Sequence, residues 1–421
     1  MSGLTAFHQQ LDPSPLAGDD ERYVDWQRDF DADDVKARLI SSILNTPANV
    51  GSQRLLTGPR GAGKSSELLR ARARLSGGIG GRQAFVSILD AKWFDLDDIT
   101  ATDVSFNMAR QLVEDLRTDA KLDLKTSPFT KLVARLKDLD LQLDVWGVSL
   151  STTLKQQPAE RKHLRDVLDG ELPAIWDEIN GQVLDRVRPA FQEVGIERIV
   201  IFVDELDKVP LRDVRDGLTN LDMLYLSDAG KLKALRCDVV LTVPIEYHYS
   251  SAGARLNDTY GEVLELGLLP TRNRDGGDGQ GVEALRQVLD RRMERAGIDD
   301  TILEGGRDAL TAVIRASGGQ IRQVFQLLRS AIDRVDGAPI VTAAAITKAM
   351  ANARRVLRHG LNDDHWQVLA QGAATFEVDT TKPIVTELLR TSRLLPYVSD
   401  DGSQWYGVHP LLLDEEGRAQ R

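Results

Sequence analysis

The sequence predicts an α/β protein in which a parallel sheet carries helices on both faces, followed by an all-helical segment and a small helix–strand–turn–strand unit. Three observations predict this. Short β-branched runs alternate with helical stretches up to about residue 272, the pattern of strands joined by crossover helices. The run Ile199-Val-Ile-Phe-Val203 is apolar without alternation, as in a strand covered on both faces. A glycine-rich stretch at 58–63 lies between a strand pattern and a helix pattern, which places a tight loop at a strand end.

Taken in order, residues 1–20 carry Pro13, Pro15 and Gly18 among polar residues with no period of either kind, and are expected as a flexible leader. The core is expected at 21–272. Val35, Leu39, Ile40, Ile43 and Leu44 recur at helical spacing, and Pro47 with Gly51 marks a loop before a strand at 54–57. A helix from 64 to 75, a strand at 84–89 and a helix at 104–116 follow. About 118–195 reads as an insertion. There, near-alternation of Leu141, Leu143, Val145, Val148 and Leu150 predicts a half-buried strand or hairpin, and Leu164, Val167, Leu168, Leu172, Ile175, Trp176, Ile179 and Val183 predict one or two amphipathic helices. Strands are expected again at 198–203, 238–243 and 263–268. A loop rich in Gly and Asp, 273–281, opens a helical lid at 273–356. Strands at 394–398 and 405–408 about a turn at 400–403, preceded by helices, predict a winged helix at 360–421.

The 421 residues suffice for two or three domains, and 42% apolar with 28% charged residues exclude disordered and collagenous classes. Fifty-three basic against 64 acidic residues leave −11, so no global field draws the chain to nucleic acid or an anionic membrane. The one cysteine, Cys237, has no intramolecular partner, the first ten residues lack a signal-peptide pattern, and no apolar run approaches bilayer length; a cytoplasmic protein without membrane contact is expected.

Gly58-Pro59-Arg60-Gly61-Ala62-Gly63-Lys64-Ser65, with Ser66 after it, matches a phosphate-binding loop. Glycines let backbone N–H groups turn in around phosphates, and the following helix adds its positive end. Lys64 is placed to reach β- and γ-phosphates, and Ser65 to put its hydroxyl on Mg²⁺. The buried run ending at Val203 leads into Asp204 and Glu205, at the carboxyl end of the strand where open α/β sheets bind ligands. Asp204 is the second Mg²⁺ residue, and Glu205 the base that orients and deprotonates a water. Asp207 and Lys208 follow at once, either tuning this site, pairing with a neighbouring subunit or serving as surface charges. His359, His365 and His409 have no metal-ligand spacing with each other or with Cys237.

The order of these motifs, followed by a strand ending near Thr242 and a glycine-led helix bearing Arg322, resembles AAA+ P-loop ATPases over about residues 21–356. The stretch Asp204-Glu-Leu-Asp207, with a lid and a terminal winged helix, looks most like the clade of origin-recognition-type initiators and STAND signalling ATPases. The resemblance implies ATP with Mg²⁺, hydrolysis, and assembly as a homo-oligomer or with an effector protein. It makes Thr242 a sensor-1 residue, where the family more often has Asn, and Arg322 a sensor-2 arginine reaching the γ-phosphate from the lid. Arg255 is the best-placed arginine finger for a neighbouring subunit, with Arg236 and Arg272 as other candidates. The 140 residues between Lys64 and Asp204 exceed a compact AAA+ spacing and agree with an insertion.

A winged helix usually lays a helix in the DNA major groove. The corresponding helix here, about 383–393, offers Lys382, Arg390 and Arg393 against Glu387, yet 360–421 holds five basic and ten acidic residues, which weakens DNA binding and favours a protein contact. The expected function is an ATP-driven switch controlling a partner, and the resemblance implies a use in bacterial regulation or phage defence. The alternative is an ATP-dependent DNA-binding initiator or loader.

Overall fold

The computed structural model describes residues 3–26, 34–47, 51–121, 127–130, 132, 144, 146–215, 217–335, 337–399, 403–414 and 416–420. Its centre is a five-stranded sheet of β1 (Gln53–Thr57), β2 (Gln83–Leu89), β3 (Ile196–Val203), β4 (Asp238–Thr242) and β5 (Leu264–Glu265), in the order β2-β3-β4-β1-β5 and parallel throughout. Because β3 sits between β2 and β4, its run from Val200 to Val203 is wholly buried, as its composition requires. The strand expected at 263–268 is cut to two residues. Its partner β1 ends at Thr57, after which the chain turns into the glycine-rich loop, and the last bond between them is from Leu266 N–H to Thr57 O at 2.9 Å.

Helices cover both faces. After α1 (Gly3–Gln10), α2 (Val35–Asn45) and α3 (Lys64–Gly77) bury Val35, Leu39, Ile43, Leu68 and Leu75 on one face against Val86, Val200 and Phe202. On the other face α4 (Ala101–Thr118) packs with α5 (Val148–Gln156), α6 (Pro158–Glu178) and α7 (Asp185–Glu193), so the insertion shares the main core. Of the strand or hairpin expected near 141–150, Leu141, Leu143 and Val145 lie outside the described residues, and Val148 with Leu150 opens a helix instead. Gly147 starts it in a left-handed conformation, and Leu150 and Leu154 are buried one turn apart, a helical and not a strand period. Between β4 and β5 lie α8 (Ile245–His248) and α9 (Ala254–Tyr260).

The lid is α10 (Gln280–Ala296), α11 (Gly306–Ala316), α12 (Ile321–Ile332) and α13 (Ala343–Arg358), all helical as expected. The flexible leader is not what the structure contains. Leu4, Phe7 and Leu11 are buried in the lid core, and α1 packs on α10 and α12. Three apolar residues on eight-residue α1 and just past it are a weak periodic signal, which Pro13 and Pro15 mask. The terminal unit is a winged helix: α14 (Asp363–Thr375), α15 (Pro383–Arg390) and the antiparallel pair β6 (Leu394–Val398) and β7 (Gln404–Val408), around Leu369, Val385, Leu388 and Val408. Helix α15 packs on α8 of the core, and Tyr249 at the end of α8 meets Tyr406 edge-on. Among the described residues no helix is long and apolar enough to cross a membrane.

Candidate nucleotide site

Strand β1 delivers the chain to Gly58, and Gly63 caps α3 in a left-handed conformation with no side chain on the helix's first N–H groups. The orphan donors at this helix start therefore face the loop opening. Lys64 is buried, its ammonium donating to Gly58 O at 2.7 Å and Pro59 O at 3.1 Å and pairing with Asp207 Oδ2 at 2.8 Å. Gly61, at φ 84°, is glycine for two reasons: its backbone is left-handed, and a Cβ there would stand 3.0 Å from Arg322 Cβ. The loop and the start of α12 thus touch, which places Arg322 over the phosphate loop.

Across the loop, β3 leads into Asp204 alongside β2, whose Leu89 carbonyl accepts the Asp204 N–H. Burial pushes the Asp204 carboxyl above the usual carboxylate range, with neighbouring Asp207 adding to the rise, against hydrogen bonds from the Ser65 hydroxyl and the Glu205 N–H. Ser65 and Asp204 line one cleft. Glu205 takes φ 68°, a left-handed turn that swings the chain away from the strand, and its carboxylate pairs with Lys208. Ser65, Asp204 and Glu205 share a cleft with Asp90 and Lys92.

A cavity of about 280 Å³ runs between core and lid. The loop from Arg60 to Ser66 forms one wall, and Ile321, Arg322, Phe325, Val288 and Arg292 form the opposite wall. A third wall was not expected from sequence: Pro15, Leu16, Tyr23, Val24 and Trp26, from the supposed leader and the residues after it. Several contacts hold it. Leu16 N donates to Ser66 Oγ at 3.1 Å, Arg70 reaches Gly18 O at 2.6 Å, and Arg292 reaches Arg22 O at 3.2 Å. The Tyr23 hydroxyl donates to both Glu67 oxygens at 2.9 and 3.0 Å and accepts from Lys36 at 3.0 Å. The aromatic pair Tyr23 and Trp26, three residues apart in an otherwise charged stretch, was the available signal.

Thr242 is completely buried, with its hydroxyl on Val203 O at 3.4 Å, and it does not line the cavity. Past the strand end, Glu246 lies in α8. It is buried near Arg60, Arg390 and Asp207, its Oε1 has no hydrogen-bond partner, and burial raises its pKa. A lone acid four residues past the strand carries no sequence signal. Arg255 is exposed at the start of α9, outside the cavity of its own chain. Arg236 pairs with Asp185 at 2.8 Å, and Arg272 lies beside Gly417 of the winged helix.

The donor set suits the implied cation. Among the described residues no three His, Cys, Asp or Glu side chains gather to hold a metal by themselves. A hydroxyl and a carboxylate lining one cleft match the hard-oxygen partial shell that Mg²⁺ takes when phosphates complete it.

No family model matches the chain, and no curated protein matches it. Solved structures do resemble it. A structure of Drosophila ORC bound to DNA is 15% identical, covering 97% of this chain and 89% of that chain, with a TM-score of 0.41. The Aeropyrum pernix ORC2 protein, in ADPNP-ADP complexes, is 13% identical over 93% and 92%, at 0.42. A Walker-type ATPase of Pyrococcus abyssi is 14% identical over 96% and 98%, at 0.45. The parallel sheet with its loop and acidic strand end, the helical segment after it and the terminal winged helix are the architecture that the sequence predicted.

Proposed function

We propose that this chain is an ATP-binding and ATP-hydrolysing AAA+ switch. The single observation that carries the reading is the meeting, at the carboxyl end of the sheet, of an uncapped helix start, Lys64, and the cleft shared by Ser65 and Asp204, with Arg322 brought over the loop from the lid. Loop N–H groups and Lys64 would hold the phosphates, Ser65 and Asp204 the Mg²⁺, and Tyr23, Val24 and Trp26 the apolar end of the nucleotide. The bound nucleotide supplies the phosphoanhydride that is cleaved, and Mg²⁺ offsets its charge. Glu205, once released from Lys208, would orient and deprotonate water. Because Arg322 belongs to the lid and Arg60 lies near Glu246 beside α15, nucleotide state would be reported to lid and winged helix. Titration calorimetry with ATP tests this: Lys64→Ala is expected to abolish measurable binding, and unchanged affinity would refute the site.

The partner on which the switch acts has two readings. One is an effector protein, supported by the acidic balance of 360–421 and by the internal use of the basic side chains. Arg393 donates to Leu357 O at 2.7 Å and also to His359 O, and α15 is packed on α8. The other is duplex DNA, as in an initiator or loader; the similar Drosophila ORC structure is a DNA complex. On that reading, α15 must leave the core before it can enter a groove. Salt-dependent retardation of labelled duplex, lost in Arg390→Glu, is its expected signature, and absence of binding at low salt would exclude it.

A further inference from the structure

A lysine ammonium has three donors, and here all three are used: Gly58 O, Pro59 O and Asp207 Oδ2. Phosphate oxygens can engage Lys64 only by displacing one of these partners. The two carbonyls belong to the loop that must cradle the phosphates, which leaves Asp207 as the ionic competitor. The turn after β3 aims it there. Left-handed Glu205 is followed by the short turn Leu206–Lys208, which folds Asp207 back over the strand end toward the loop. Asp207 and Lys64 are only 10% and 6% exposed, so neither charge has water as an easy alternative partner. The same carboxylate lines the cavity together with Glu205 and the loop from Arg60 to Ser66.

We propose that Asp207 is a positioning residue that holds Lys64 in reserve, a counter-ion that an incoming polyphosphate must displace and whose charge a divalent cation then offsets. The inference rests on the nucleotide-site reading and goes beyond it by naming what sets the site's preference for cation-loaded nucleotide. Cation-free nucleotide leaves Asp207 uncompensated next to the phosphates. Nucleotide arriving with Mg²⁺ brings a positive charge to the same place.

The test is calorimetric titration of the full chain with ATP, in excess EDTA and in excess Mg²⁺. Asp207→Asn is expected to tighten binding in EDTA by roughly tenfold and in Mg²⁺ by less than about threefold, so the gap between the two conditions narrows. Asp207→Glu, which keeps the charge, should retain the wild-type gap; thermal melts establish that each variant is folded. If Asp207→Asn is unfolded, Asp207→Ser takes its place with the same expectation. A gap unchanged or widened in the neutral variants overturns the proposal while leaving the nucleotide site standing. A wild type that binds ATP in neither condition overturns the nucleotide site itself, and the proposal with it.

Discussion

The two ends of the central sheet each carry a buried ion pair, and they are built differently. At the amino end, Arg198 on β3 grips Asp238 on β4 through Nη2–Oδ1 at 2.5 Å and Nε–Oδ2 at 2.8 Å, while Ser52 adds its N–H at 2.7 Å and its hydroxyl at 2.6 Å. Arg198 also reaches Thr46 O. A planar fork on a fully occupied carboxylate, 1% and 2% exposed, is held on both oxygens and nearly shut off from solvent. At the carboxyl end, Lys64 and Asp207 make a single contact beside an open cavity, through a point charge on a flexible stem. The same pairing of charges serves as a clamp where geometry fixes it and as an exchangeable contact where it does not.

The largest effect should come from breaking the clamp. Arg198→Ala strands the Asp238 carboxylate and is expected to cost about 3–5 kcal/mol in urea unfolding; a loss below about 1 kcal/mol would show that the pair is not the clamp described. Breaking the exchangeable pair should look different. Lys64→Ala is expected to lower stability by at most about 1–3 kcal/mol, the cost of the Asp207 group left unpaired, while ATP binding disappears. Equal destabilisation by both variants would erase the distinction.

Between these lies Arg322→Ala, which leaves both pairs intact. ATP affinity should fall by roughly tenfold, one charge-assisted contact, with the unfolding midpoint in the absence of nucleotide unchanged. An unchanged affinity would mean that the lid does not read the phosphates. The smallest expected effect concerns Glu246, which has no clamp at all. Burial raises its pKa above the unfolded-state value, so its contribution to stability is fully present below the unfolded pKa and is lost as pH rises through the folded one. Glu246→Gln should therefore raise Tm slightly near neutral pH, on the order of 1–2 °C, and flatten its dependence on pH; a lower Tm would show that the ionised acid is stabilised by Arg60 and Arg390.

Much of this was legible in the sequence, for identifiable reasons. The loop at 58–65 and the strand ending in Asp204 and Glu205 have local signatures, because glycine conformation and continuous burial leave marks residue by residue. Sheet, lid and winged helix followed from period and order. What sequence reasoning missed depends on contacts between distant segments. The third wall of the cavity, Leu16 to Trp26, is fixed by Ser66, Arg70 and Arg292 and not by its own pattern. Thr242 fitted a polar residue at a strand end, yet its hydroxyl turns to the neighbouring strand, a choice that spacing does not reveal. The helical start at Val148 was misread because a short apolar alternation fits strand and helix alike until burial distinguishes them.

The central claim is that the carboxyl end of this sheet cleaves ATP with Glu205 as the base. Single-turnover hydrolysis, measured beside ATP affinity for wild type and Glu205→Gln, tests it most directly. The expected result is a rate lowered about 10²- to 10⁴-fold with affinity unchanged. A rate within about twofold of wild type in a folded Glu205→Gln variant, or no turnover by wild type with ATP bound, would contradict it.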